Sequence, residues 1–329
     1  MAITVCMTAV SLGLILLSCY VFVNAVEQAG DKLNLHQGII GSILAAVGTA
    51  LPETIIPIMA ILITATPSGH EIGIGAIAGA PFMLGTLAFF VTGASVLVYA
   101  AFGRRTLAMN MDIPLLRKDL SFFTVIYGVA VLTTFVHSYN ARIAIAIALM
   151  LSYVVYLKVT ISSECLANED CEDLYLSRIL KVPESIPWIS VQILFGLALI
   201  IAGSHLFIGY VEELSVSLGV APLILSIIIT PIATELPEKM NSIIWVGRGK
   251  DTLAMGNITG AMVFQSCFPV VFGILFTPWN LSGATMLSAG LAFCSSLLVL
   301  GWIAVFKRLN PFVLLIGGLL YGVFIAYVI

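Results

Sequence analysis

The sequence predicts an all-α membrane protein: ten transmembrane helices as two inverted five-helix repeats, both termini outside. Three observations carry that prediction. The 329 residues are 60% hydrophobic and only 9% charged, whereas a soluble domain carries about 25% charged residues. Basic residues collect in every second loop, and the stretch from Phe22 to Glu53 recurs 185 positions further on. The composition excludes a soluble enzyme, a sizeable extramembrane domain and a nucleic-acid partner. With 14 Lys and Arg against 17 Asp and Glu, the net charge of -3 offers nothing to a polyanion.

A bilayer span needs roughly 20 apolar residues. Breaks at polar, Gly and Pro clusters place spans near 3–26, 37–66, 72–101, 121–137, 141–160, 187–209, 218–247, 252–277, 283–306 and 311–329. The first lacks a basic leader and a cleavage-like boundary, so it is expected to be retained as a helix. Spans two and seven each carry a Pro-Glu pair, at Pro52-Glu53 and Pro237-Glu238. Spans three and eight are rich in small residues, among them Gly75, Gly79, Gly256 and Gly260, as close helix packing requires. Continuous apolar runs such as Ile193–Ile201 exclude the alternation of a membrane β-strand.

Between spans five and six lies the one long polar stretch, with Glu164, Glu169, Asp170, Glu172 and Asp173. It divides the chain into a first repeat, 1–160, an acidic cytoplasmic linker, 161–186, and a second repeat, 187–329. The linker lacks the ligand spacing of an EF-hand and reads as solvated. Cys6, Cys19, Cys267 and Cys294 lie in apolar stretches, Cys165 and Cys171 in the linker, with neither disulfide nor zinc spacing.

Orientation follows from positive charge, which stays cytoplasmic. The odd loops hold Lys32; Arg104, Arg105, Arg117 and Lys118; Lys158, Arg178 and Lys181; Arg248 and Lys250; and Lys307 and Arg308. The even loops hold only Arg142.

The offset of 185 superposes Phe22, Val26 and Glu27 on Phe207, Val211 and Glu212, and ends with Thr49, Leu51, Pro52 and Glu53 on Thr234, Leu236, Pro237 and Glu238. Apolar matches are common in such a chain, but prolines and acids within spans are not. An odd number of spans per repeat inverts the second copy, so the two Pro-Glu motifs approach the midplane from opposite faces. That arrangement is typical of secondary transporters. The plainer alternative is a duplicated scaffold without transport.

Carboxylates inside a bilayer are costly and mark ion pathways. A proline removes the helical bond to the residue four back, which frees carbonyls near Gly48 and Ala233. Glu53, Glu238, the freed carbonyls and the hydroxyls of Thr49 and Thr234 form an all-oxygen set with formal charge near -2. A hard divalent cation such as calcium, which takes six to eight oxygens, suits such a set.

These residues resemble those of the calcium/cation antiporters, and most closely the sodium/calcium exchanger branch. The first motif reads Gly48-Thr49-Ala50-Leu51-Pro52-Glu53 and the second Ala233-Thr234-Glu235-Leu236-Pro237-Glu238, against a family pattern Gly-Thr-Ser-Leu-Pro-Glu. Gly256-Asn257-Ile258-Thr259-Gly260-Ala261-Met262 is similar to the family's Gly-Asn-x-x-Gly-Ser-Asn, and Gly75 to Pro81 is a more degenerate counterpart. The resemblance implies that Glu53 and Glu238 coordinate calcium, with Thr49 and Thr234 in the cation sites. It also puts Leu84 and Gln265 where the family lines its site with an amide or acid. Ala50, Ala80 and Ala261 replace serine hydroxyls, so several sodium ligands of the family are missing. Glu235 either adds a third acid to the site, takes part in proton coupling, or pairs with Lys239 four residues on. His205 is read as an interior histidine rather than a proton shuttle, and Asn257 as a helix-to-helix bond rather than a ligand.

The expected function is secondary antiport of calcium against sodium or protons, with no cofactor, in the plasma membrane of a prokaryote. The alternative is a transport-inactive homologue that senses cations or acts as a scaffold. A third reading, an intramembrane enzyme, has less behind it: His70-Glu71 begins like a zinc-protease motif, but no second His stands at the required spacing and no Gly-x-Ser-Gly or paired-Asp signature appears.

Overall fold

The computed structural model describes residues 1–32, 51–64, 66–163, 173–281 and 283–328, and the regular elements among them are all helical. Helix α1 spans Ala2–Lys32, and α2 (Leu51–Ile58) runs into a π-helical segment, Met59–Thr64. Helix α3 (Pro67–Met83) passes through a second π segment, Leu84–Ala88, into α4 (Phe89–Ala101). Then come α5 (Ile113–Leu132), α6 (Tyr139–Ser163), the short α7 (Tyr175–Leu180) and α8 (Ile186–Leu218). The chain closes with α9 (Pro222–Gly247), α10 (Asp251–Phe276), α11 (Ala284–Phe306) and α12 (Pro311–Val328).

Among the described residues, 7 helices are long and apolar enough to cross a membrane: Ala2–Val26, Pro67–Ala101, Tyr139–Thr160, Ile186–Leu218, Asp251–Phe276, Ala284–Phe306 and Pro311–Val328. Pro52–Thr64 and Pro222–Ile232 are shorter apolar helices. They belong to the expected spans two and seven. The start of span two and most of the acidic linker, with Cys165 and Cys171, lie outside the described residues. Helix α5 corresponds to the expected span four.

Capping explains why several helices start before, or end beyond, their apolar runs. Helix α3 begins at Pro67 because Thr66 caps it, its hydroxyl accepting from the Gly69 N–H at 3.0 Å, with proline at the first position. Asp112 does the same for α5, accepting from Leu115 N–H at 3.0 Å. This adds the polar turn Arg117–Lys118–Asp119 to a helix whose apolar part starts at 121. Helix α8 runs on through Glu212 and Glu213 to Gly219, whose φ of 67° closes it.

Helices α1 and α8 pack along their length in opposite directions. At one end Thr4 donates to Glu213 at 2.9 Å; towards the other, Gln192 donates to Asn24 at 2.9 Å. Between them Gly203 lies against Ile15 and Gly196 against Phe22. Ile15 and Cys19 of α1, Ile200, Phe207 and Ile208 of α8, and Ile56 and Met59 from the α2 segment share one apolar cluster. A larger cluster joins α3–α6 to α9–α12 around Phe82, Phe89, Phe123 and Phe324. The packing partners come in exchanged pairs. Helix α10 lies on α5 as α3 lies on α11, and on α6 as α4 lies on α12.

Helices α3 and α9 approach closely, backbone to backbone. A Cβ on Gly75 meets the Leu223 carbonyl oxygen at 2.6 Å, and one on Gly79 runs into the Ile227 oxygen and the Pro231 ring. Ser226 donates across the same crossing to the Ile72 carbonyl at 2.7 Å. Gly79→Ala is expected to destabilise the fold by about 1–3 kcal/mol, the usual range for overpacking a filled contact. Thermal unfolding in detergent measures this, with Gly301→Ala, which meets no neighbour within 4 Å among the described residues, as the control whose midpoint stays at or above that of the wild type.

Polar contacts tie loops of like parity. Arg105, after α4, bonds Asp251 at the start of α10, with N–O distances of 2.7 and 2.9 Å. At the other end of the bundle Thr134 donates to the Trp279 carbonyl at 3.1 Å and Arg142 to that of Pro278 at 2.7 Å.

Candidate ion site

Helices α2, α3, α9 and α10 all pack against one another, and they carry the residues the sequence singled out. Glu53, on α2, is 5% exposed; Thr234 and Glu235, on α9, are 2% and 1% exposed; Gln265, on α10, is 1% exposed. Glu238 also lies on α9. Thr49 falls outside the described residues, and the expected pairing of Glu235 with Lys239 involves a side chain outside the described ones.

Along α9 a ladder of hydroxyls climbs one face at intervals of four. Ser226 and Thr230 share a hydrogen bond of 3.0 Å, and Thr234 donates to the Thr230 carbonyl at 3.1 Å. Ser226, Thr230 and Thr234 thus replace apolar residues along one line of α9, an arrangement that offers oxygens to a polar ligand within the membrane.

Gln265 supplies the clearest chemical signal. Its Oε1 is buried with no hydrogen-bond partner among the described residues. Leaving a buried acceptor unmet costs about 1–3 kcal/mol. Four residues later stands Pro269, inside α10, so the Gln265 backbone carbonyl also loses its helical donor. The same arithmetic applies to Pro57 in α2 and Pro81 in α3, which release the carbonyls of Glu53 and Ile77, and to Pro231 in α9, which releases that of Ile227. The sequence reading uses only the prolines directly before acids; Pro57, Pro81, Pro231 and Pro269 sit in the same four helices. The π segments widen α2 and α3 at their C-terminal ends. One of their carbonyls, that of Gly85, is taken up by the Ser295 hydroxyl of α11.

Leu84, at the position where the family resemblance looks for an amide or acid, is fully buried and opens the second π segment. His205 corrects the sequence reading: it is exposed on the outer face of α8, because the buried stripe of that helix runs through Ile200, Ser204, Phe207 and Ile208. Among the described residues no group of three His, Cys, Asp or Glu side chains forms a ready-made metal cluster. The donors gathered here are instead mixed carboxylate, hydroxyl, amide and backbone oxygens. That is a set for a hard cation rather than for zinc or copper.

Besides Asp251, described above with Arg105, a second buried acid lies outside the sequence reading. Asp119 of α5 is 2% exposed and accepts from Tyr156 at 2.9 Å and Thr259 at 2.8 Å, with Lys118 Nζ at 3.9 Å. It ties α5 and α6 to α10, six residues before Gln265. The signal was an acid just ahead of an apolar run, which was counted with the loop.

The model of the sodium/calcium exchanger protein family matches residues 3–162 and 188–329. A provisionally named antiporter, CaxA, of Alkalimonas amylolytica is 30% identical over 139 residues, which is 40% of this chain and 44% of that protein's length. The uncharacterized membrane protein MJ0091 of Methanocaldococcus jannaschii is 24% identical over 267 residues, 80% of each chain. Among solved structures, the H+/Ca2+ exchanger CAX superposes with a TM-score of 0.72 at 15% identity, covering 98% of this chain and 82% of the other. The sodium-calcium exchanger NCX_Mj superposes with a TM-score of 0.58 at 20% identity, covering 99% of each.

Proposed function

The chain belongs to the sodium/calcium exchanger protein family, and from that premise we propose that it exchanges calcium for a monovalent cation, sodium or a proton, by alternating access at a midplane site. It is a transporter, not an enzyme, and the transported ions are its substrates. No cofactor is invoked. The observation that carries the proposal is the burial of the Glu53 carboxylate against helices bearing Thr234, Glu235 and the unmet Gln265 oxygen. Glu53 and Glu238 supply the charge, Thr49 and Thr234 the hydroxyls, and Gln265 a neutral oxygen. Glu235 adds an acid where the family pattern has serine.

Ten spans in two inverted repeats, 1–160 and 187–329 around a cytoplasmic linker, with both termini outside, is the architecture proposed for this site. Support comes from the antiparallel α1 and α8, whose bounds Ala2–Lys32 and Ile186–Leu218 agree to within one residue at the offset of 185. The exchanged packing partners support it as well. A prokaryotic plasma membrane suits the short loops.

Which ion opposes calcium turns on the neutral oxygens. Ala80, Ala261 and buried Leu84 withhold oxygens from sodium, while Glu235 offers a group that a proton can occupy. This favours protons. Calcium uptake into proteoliposomes decides it: uptake driven by a pH gradient and indifferent to sodium is the expected result. Calcium binding without flux under either gradient supports the second reading, a transport-inactive homologue acting as a sensor or scaffold, which buried Leu84 favours. Gln265→Ala is expected to change the ion preference, measured as competition by strontium or manganese, more than it lowers the calcium flux.

A further inference from the structure

We infer that the groove between α4 and α9 is a binding site for an anionic phospholipid, its acyl chain lying along the two helices and its phosphate on Arg104. The groove has a volume of about 440 Å³, within the range of about 300–1,000 Å³ usual for ligand pockets. Phe90, Val98 and Phe102 form an exposed apolar wall at 37%, 52% and 77% exposure, and Ile243 of α9 faces them. The serine in the wall, Ser95, returns its hydroxyl to the Val91 carbonyl at 2.7 Å, so the lining has little to offer an ion or a string of waters. This is a hydrocarbon surface rather than a branch of the ion path.

Charge identifies the headgroup. Arg104 lines one end of the groove, and among the described residues no acid lies within salt-bridge distance of it. Its neighbour Arg105 is taken by Asp251. Arg248 and Lys250, exposed on the loop that follows α9, add positive charge to the same end. A guanidinium at the membrane edge of an apolar groove matches a phosphodiester above a fatty chain. The occupant also touches the helix that carries Thr234 and Glu235, because the Tyr99 ring beside the groove is packed against Gly247 at the end of α9.

Native mass spectrometry of the purified full chain, offered equal amounts of phosphatidylglycerol and phosphatidylcholine, tests the site. The wild type is expected to retain phosphatidylglycerol about tenfold better, because phosphatidylcholine carries the same phosphodiester but its choline cation is repelled by the basic end of the groove. Arg104→Gln is expected to erase that preference, while Arg117→Gln, an exposed arginine on α5, keeps it. Ala94→Trp, which fills the groove, should reduce retention of both lipids. A preference unchanged in Arg104→Gln overturns the proposal. So does thermal stabilisation by inorganic phosphate equal to that by phosphatidylglycerol, which makes the site one for free anions. Efficient disulfide-linked dimers of Val98→Cys in phosphatidylglycerol membranes also overturn it, because the groove is then covered by a second copy.

Discussion

Replacing Glu53 or Glu238 by glutamine is expected to abolish gradient-driven calcium uptake while leaving the protein folded. The amide keeps the shape of the side chain and removes one of the two charges assigned to the motif pair. Calcium affinity in protein sites ranges over about six orders of magnitude with ligand charge and rigidity. Losing one of the two charges that the motif pair supplies should therefore weaken binding by about 100-fold or more. Folding is expected to be spared for a physical reason: Glu53 is 5% exposed, and a neutral amide is less costly to bury than a carboxylate. Each variant should unfold at or above the wild-type temperature. Calorimetric titration with calcium, alongside uptake in proteoliposomes, checks both halves of the prediction. Unaltered calcium affinity in both variants would falsify the site assignment, since the acids would then be buried for another purpose.

Much of this site was legible because the membrane makes certain residues conspicuous. Glu53, Glu238 and the threonines four residues before them stand out in a chain with 9% charge, and the offset of 185 picks out the second motif from the first. Gln265 came from the family resemblance, and its burial gives it a physical reason to be there. What the sequence concealed falls into two kinds. The π segments Met59–Thr64 and Leu84–Ala88 leave no trace in hydropathy, because widening a helix by one residue per turn hardly alters an apolar run. Long-range polar partners are hidden by distance along the chain. Asp119 and Thr259 are 140 residues apart, so the acid looked like loop charge until the fold brought α10 beside it. Arg105 was read only as a marker of the cytoplasmic side, whereas it is also a structural tie.

That tie carries the largest expected effect on stability. Asp251→Ala should destabilise the protein by about 3–5 kcal/mol, the usual result of removing one partner from a buried ion pair. The side chains of Arg105 and Asp251 are 7% and 1% exposed. The carboxylate accepts from both terminal nitrogens of the guanidinium and from the Asn110 N–H at 2.8 Å. Without it, Arg105 keeps the carbonyls of Val246, Thr106 and Ala108, at 2.6, 3.1 and 3.1 Å, neutral acceptors that leave its charge uncompensated in a site largely closed to water. The bond joins the loop after α4 to the start of α10, so its loss should also loosen the α9–α10 turn, from Gly247 to Lys250. The double variant Arg105→Ala/Asp251→Ala should be less destabilised than the sum of the two single changes, because it removes the stranded charge along with its partner. Thermal unfolding of the four proteins closes the cycle. Strict additivity would mean that the pair is no more than a surface contact, and hydrogen exchange at Asn110 would then show no faster opening in Asp251→Ala than in the wild type.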